Sequence, residues 1–184
     1  MRSGPVVGVL GLVTRRDGSK TEWSLLSRGD RVRGRSVKPT HAGRHPVILL
    51  AGPDGCASSA FVESAAAAWC ARTALVVFDL PLCGSRKSDK LTSLALDARL
   101  PLARRFRAEL EAQVAADLAA VLALIAADPE LDAGRVTFVG VGLGGELARA
   151  FLAAPSTVAH VVLAPDETPP ASWLREIGER ASRC

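Results

Sequence analysis

The chain predicts a three-layer α/β sandwich, in which a mostly parallel sheet carries helices on both faces and is preceded by antiparallel strands. Three observations carry that expectation. Residues 46–51, 74–79, 136–139 and 158–163 are short, continuous apolar runs, as strands buried on both faces require. Helical patterns separate these runs, and such alternation implies a parallel sheet. Ahead of them, as far as about Lys38, apolar stretches are brief and broken by Asp17-Gly18, Arg28-Gly29-Asp30 and Arg33-Gly34, the punctuation of antiparallel strands joined by turns.

Taken in order, residues 6–13 form an apolar run after Met1-Arg-Ser that superficially looks like a signal peptide. The run is short, lacks a small-residue cleavage site and passes straight into Arg15-Arg16-Asp17-Gly18, so it is read as a first strand and turn. The buried strand 46–51 leads through a glycine-containing loop into an alanine-rich helix over residues 58–71, and 74–79 is the second buried strand. A polar loop from Leu80 to about Leu100 then precedes a long helix over 102–127. There Leu102, Phe106, Leu110, Val114, Leu118, Val121, Leu122 and Ile125 recur at three- and four-residue spacing, a stripe that faces a core. Strand 136–139, helix 143–153 and strand 158–163 follow. Pro169-Pro170 opens a terminal amphipathic helix containing Trp173, Leu174 and Ile177, as proline favours helix starts.

At 184 residues and 48% hydrophobic, the chain has enough apolar surface for one domain, expected as N-terminal strands over 1–40, a core over 46–166 and a C-terminal helix over 167–184. The net charge of +4 is mostly arginine, since Lys20, Lys38, Lys87 and Lys90 are the only lysines. Basic residues gather at Arg28, Arg31, Arg33, Arg35, Lys38 and Arg44. Without interleaved aromatics or a helix-turn-helix or zinc-finger pattern they read as a solvated hairpin and loop, and no nucleic-acid partner is expected. Cysteines 56, 70, 83 and 184 form no CxxC pair and no histidine stands at zinc-ligand spacing, so neither metal nor cofactor is expected. Cys70, on an apolar helix face, reads as a small core residue. Nothing approaches the length of a transmembrane helix, no membrane contact is expected, and a reducing cytoplasmic location is the default.

Right-handed crossovers place the strand-to-helix loops at one edge of the sheet, over residues 52–57, 80–90, 140–145 and 164–168, and any site belongs there. The segment Gly140-Val141-Gly142-Leu143-Gly144-Gly145 follows a strand and opens a helix. In a GxSxG elbow the central serine stands on a strained turn and aims its hydroxyl at substrate. Here that position is Gly142, which has no side chain to aim.

This order of features resembles the α/β-hydrolase superfamily, and locally its esterase and dienelactone-hydrolase-like members. Gly140 and Gly144 match the outer glycines of the family's elbow and Gly145 its helix-packing glycine. Ala51-Gly52-Pro53-Asp54-Gly55 is similar to its oxyanion loop, and Phe78-Asp79-Leu-Pro81-Leu-Cys83-Gly84 to the loop after the next strand. The resemblance implies a shortened hydrolase fold without its catalytic residues. Gly142 cannot be activated to attack. Ala51 replaces the histidine usual before Gly52, and Pro53 stands where the family takes an oxyanion-hole amide that proline cannot donate. Loss of one such donor costs a working enzyme roughly 100- to 1,000-fold in turnover. The triad acid and histidine should follow the elbow in chain order. Only His160 does so, within a strand where it is expected to face a helix, and Asp166 has no histidine to orient. The family's last two strands are expected to be missing.

Two enzyme-class or cofactor readings compete. Gly140, Gly142 and Gly145 spell GxGxxG between strand and helix, and Asp166 lies about 20 residues on, where a dinucleotide site takes its ribose-binding acid. All of residues 1–135 precede that fingerprint, however, whereas a dinucleotide fold begins with it. Alternatively, Cys56 near a helix N-terminus could be a displaced nucleophile with lowered pKa, beside Ser58 and Ser59 and near Cys83 and Ser85. Helix capping by the serines and passive packing by the cysteines are the simpler roles. The reading adopted is a catalytically inactive module that binds a protein partner, a second copy or a small ligand. Without two later strands, 158–163 would sit at a sheet edge, open to pairing or covered by the helix around Trp173.

Overall fold

The computed structural model describes residues 13–96, 101–153, 158–164 and 169–183. A hairpin meander begins the sheet: β1 (Val13–Asp17), β2 (Lys20–Ser27) and β3 (Asp30–Val37) pair antiparallel in sequence. Arg28 (φ 48°) and Gly29 (φ 81°) both take the left-handed conformation in the β2–β3 turn, which matches its twist to the strands it joins. Two expectations are corrected here. Arg15 and Asp17 belong to β1 rather than to a turn, which falls at Gly18 and Ser19 instead. Arg33-Gly34 lies inside β3, because the bare Gly34 lets the Trp23 indole lie across the strand. A Cβ there would overlap the ring and the Val77 carbonyl, and Trp23 Nε1 donates to Ser36 Oγ at 3.0 Å. The strand expected over residues 6–13 lies outside the described residues except for Val13.

The parallel half follows as β4 (His45–Ala51), α1 (Ala60–Trp69), β5 (Ala74–Phe78), α2 (Asp89–Leu96), α3 (Pro101–Ala127), β6 (Leu131–Val141), α4 (Leu143–Leu152), β7 (His160–Ala164) and α5 (Ala171–Arg183). The sheet order is β1-β2-β3-β5-β4-β6-β7, antiparallel as far as the β3–β5 pair and parallel beyond. All four apolar runs are therefore strands of one sheet. Of the polar loop expected over 80–100, the described part, to Leu96, instead holds a 3-10 turn at Gly84–Arg86 followed by α2. Polar composition concealed a helix start in which Thr92 Oγ1 accepts from Ser88 N–H and donates to the Leu82 carbonyl. Strand β6 begins five residues earlier than its apolar run: Leu131 pairs with His45, Val136 with Val47, and the intervening residues are taken up by a shift of register.

Two apolar layers enclose the sheet. Leu49, Phe138, Val114, Leu118 and Leu147 pack on the α3–α4 side; Ile48, Leu50, Val62, Trp69, Leu174 and Ile177 pack on the α1–α5 side. Gly178 admits the Trp69 ring, whose Nε1 donates to the Leu174 carbonyl. Contrary to expectation, among the described residues one helix, Ala103–Ala127, is long and apolar enough by length and composition to cross a membrane. In this fold its Val114, Leu118, Val121 and Ile125 are buried in the sheet's core.

Candidate functional site

Loops from three strand ends meet beside the neighbouring strands β4 and β6, whose onward connections run to opposite halves of the sheet, the switch point at which open α/β sheets bind ligands. Strand β6 ends at Val141, and the next residue, Gly142, takes φ 50° and ψ −123° as the N-cap of α4. Few side-chain-bearing residues occupy that region, and where they do it is at functional turns. The shape of a nucleophile elbow is thus present without the nucleophile. Its other glycines are dictated by close approach: a Cβ on Gly144 would overlap the Ala51 carbonyl, and Gly140 and Gly145 pack backbone to backbone. Gly140, Val141, Gly142, Gly144 and Gly145 are buried and Leu143 is half-buried. Gly142 N–H donates to the Ala164 carbonyl at 3.0 Å, and the Gly142 carbonyl accepts the first helical bond from Glu146.

The loop after β4 turns tightly, with Gly55 N–H donating to the Gly52 carbonyl at 3.2 Å and Gly55 at φ 68°. Ala51 and Gly52 are buried, Pro53 is half-buried and Asp54 is exposed. Asp54 Oδ1 accepts from Cys56 N–H at 3.0 Å, so the carboxylate is spent locally on the turn. Gly55 backs directly onto Cys83, and its carbonyl accepts from Leu80 N–H at 2.9 Å. This contact joins the β4–α1 loop to the loop after β5.

Asp79 fastens the same two loops more firmly. Its buried carboxylate accepts from Ala57 N–H at 2.8 Å, Ser85 N–H at 2.9 Å and Ser85 Oγ at 2.6 Å. Gly84, at φ 52°, is glycine because a Cβ would strike that carboxylate. Ser85 is therefore a donor to Asp79, and Ser59 is the α1 cap, accepting from Val62 N–H at 3.4 Å. Cys56 lacks the lowered pKa that the displaced-nucleophile alternative requires. Burial pushes its thiol pKa up, Asp54 and Asp79 add to that, and an amide contact from Gly84 opposes it. Burial drives Cys83 to about 12 and Cys70 to about 11. High thiol pKa values leave little thiolate for attack at neutral pH.

His160 lies exposed on β7, not packed under a helix as expected, and Asp166 lies outside the described residues. Among the described residues no three His, Cys, Asp or Glu side chains gather as a metal site. Three of the six basic residues of the run are ion-paired within the chain: Arg28 with Glu109, Arg35 with Glu63, and Lys38 with Asp128 and Glu130, both at 2.7 Å.

Sequence reading missed Arg86. Its side chain is 4% exposed; Nη1 donates to Asp117 Oδ2 at 2.6 Å and to the Asp79 carbonyl at 3.1 Å, while Nε and Nη2 reach Asp30. Gln113 completes Asp117 through a bond of 2.8 Å and also donates to the Ser27 carbonyl. One guanidinium thus ties the site loop to α3 and to the β2–β3 turn.

No protein-family model and no curated protein matches the chain. Solved structures do match. A cold-adapted esterase from an Arctic intertidal metagenomic library aligns with a TM-score of 0.62 at 24% identity, over 82% of this chain and 62% of its own. An acetyl xylan esterase from Paenibacillus sp. R4 aligns at 0.61 and 19%, over 82% and 51% respectively. The α/β-hydrolase GrgF from Penicillium sp. sh18 aligns at 0.58 and 15%, over 78% and 45%. The fold is α/β-hydrolase-like, and the chain spans roughly half to three-fifths of the length of these structures.

Proposed function

We propose that this hydrolase-like module acts by binding and does not perform acyl transfer at its elbow. The observation that carries this reading is Gly142, which holds the backbone turn of a nucleophile while offering no atom to attack. Pro53 supports it by withholding an amide from the facing loop, since an oxyanion hole depends on donors aimed at developing charge. The raised pKa of Cys56 and the engagement of Ser59 and Ser85 weigh against a displaced nucleophile. A dinucleotide loop draws less support, because the Gly142 amide it would aim at phosphate already bonds the Ala164 carbonyl.

Intact-mass analysis after incubation with a fluorophosphonate probe, paired with a panel of short acyl esters, tests this reading. The expected result is an unmodified mass and no hydrolysis above buffer. A stoichiometric adduct or saturable turnover overturns it and restores the active-hydrolase reading.

The binding surface we assign is the free edge of β7, with a second copy of this chain as partner. Strand β7 pairs only with β6 among the described residues, and Val161 and Leu163 are 46% and 44% exposed on one face. Antiparallel self-pairing about Val162 would set Val161 opposite Leu163 of the second copy, and the converse, as a two-fold interface requires.

A further inference from the structure

Two free cysteines are brought together where the loops beside the elbow meet. Cys56 is half-buried in the loop after β4, and Cys83, 5% exposed, lies in the loop after β5. Both neighbours of Cys56 are anchored to the segment around Cys83. A Cβ placed on Gly55 would fall 2.7 Å from Cys83 Sγ and 2.9 Å from Cys83 Cβ. On the other side, Ala57 N–H donates at 2.8 Å to the Asp79 carboxylate, which Ser85 N–H shares at 2.9 Å. The Cys56 sulfur meets the backbone amide of Gly84, the residue bonded to Cys83. Its charge is the strongest influence on the Cys83 thiol after burial. Both side chains pack in one apolar cluster with Leu80 and Leu82.

A disulfide spans Cα atoms up to about 7 Å apart, and these anchors hold the two cysteines at that scale. The Cys56 thiol donates to the Asp54 carbonyl at 3.5 Å, a long bond that costs little to release. We propose that Cys56 and Cys83 are a site of oxidative closure, forming an intramolecular disulfide that locks the loop after β4 to the loop after β5. The oxidant is a hydroperoxide. The Cys56 thiolate, on the more accessible side, attacks a peroxide oxygen; an S–O bond forms, the O–O bond breaks and hydroxide leaves. The Cys83 thiolate then attacks the Cys56 sulfur, forming the S–S bond and expelling a second hydroxide. The two thiol protons neutralise both, so two thiols are oxidised and one peroxide is reduced to two waters.

Burial sets the character of this closure. With Cys56 raised and Cys83 pushed up to about 12, little thiolate exists at neutral pH and the bond forms slowly. The same thiols are poor leaving groups, so the bond once formed resists reduction. These are the properties of a durable latch rather than of a fast sensor.

Treatment of the full chain with hydrogen peroxide, followed by intact-mass analysis and non-reducing tryptic mapping, tests the proposal. The expected product is a monomer lighter by two hydrogens, in which residues 45–72 are linked to 73–86, and which a strong reductant restores. Because the first fragment also contains Cys70, fragment-ion sequencing must place the link at Cys56. The rate should rise with pH, by up to about tenfold per unit while the thiols remain mostly protonated. Oxidised protein should melt at a higher temperature than reduced protein, since the link restricts the unfolded chain. Cys56→Ser should abolish both the link and the rise in Tm. An unchanged mass, added oxygen confined to Cys56, a link at Cys70 or a bond between two chains overturns the proposal. The outcome is independent of the elbow: labelling by the fluorophosphonate probe would end the binding-module reading and leave this disulfide untouched.

Discussion

Gly142 carries a backbone conformation that glycine adopts freely and a serine would hold under strain. Gly142→Ser should therefore destabilise the fold by about 1–3 kcal/mol in denaturant titration, and should not yield ester turnover, because a hydroxyl alone lacks a base and a second oxyanion donor. His45 is a second residue with a measurable signature. Buried at the start of β4 with its ring 4.7 Å edge-on from His41, it has its pKa lowered first by desolvation and then by the His41 charge. The unfolded chain accepts a proton near pH 6.5 that the folded state resists, so its contribution is present above about pH 6.5 and is lost as pH falls toward the folded pKa. Tm measured from pH 7.5 down to 5.5 should decline, and His45→Gln should flatten that decline. A missing nucleophile was legible because a motif fixes where it should stand. The roles of Arg86 and Arg35 were not, because Asp30 lies 56 residues from Arg86, Asp117 lies 31 away, and Glu63 lies 28 from Arg35.

The segment from Asp79 through α2 behaves as a clamp whose strength rests on a charge pair. Arg86 and Asp117 are 4% and 0% exposed, and removal of one partner leaves the other charge buried and uncompensated. Arg86→Ala should thus cost about 3–5 kcal/mol in urea unfolding, whereas the paired replacement Arg86→Met with Asp117→Leu should lose much less. Continuous apolar runs made β4, β5, β6 and β7 readable, since a strand buried on both faces writes its position directly into composition. Helix α2 was not readable, because Asp89, Lys90, Thr92 and Ser93 mimic a polar loop and its start depends on a hydroxyl exchange between Thr92 and its neighbours. The five extra residues of β6 escaped for a similar reason: Asp132, Ala133, Gly134 and Arg135 have no strand pattern, and pairing to His45 alone recruits the segment.

In the whole molecule, the mostly parallel sheet between two helical layers followed from alternation, while the strand order and the placement of the terminal helix did not. Helix α5 lies on the α1 face of the sheet, where Leu174 and Ile177 join the apolar layer around Ile48 and Trp69, and among the described residues no strand pairs with the outer edge of β7. Sedimentation or light scattering should accordingly give a dimer mass, reduced to monomer by Val161→Lys, which sets a charge on the paired edge; a concentration-independent monomer for wild type would remove the edge-pairing proposal. The two-layer core also has an optical consequence. With no tyrosine in the chain, near-ultraviolet emission comes from three tryptophans, and two of them are buried on opposite sides of the sheet, Trp23 with the α3–α4 layer and Trp69 with the α1–α5 layer. Variants that retain only one of these indoles would each report the melting of a single layer. Coincident curves would mean that the sheet transmits cooperativity between its two faces, and separated curves would mean that each face unfolds as its own unit.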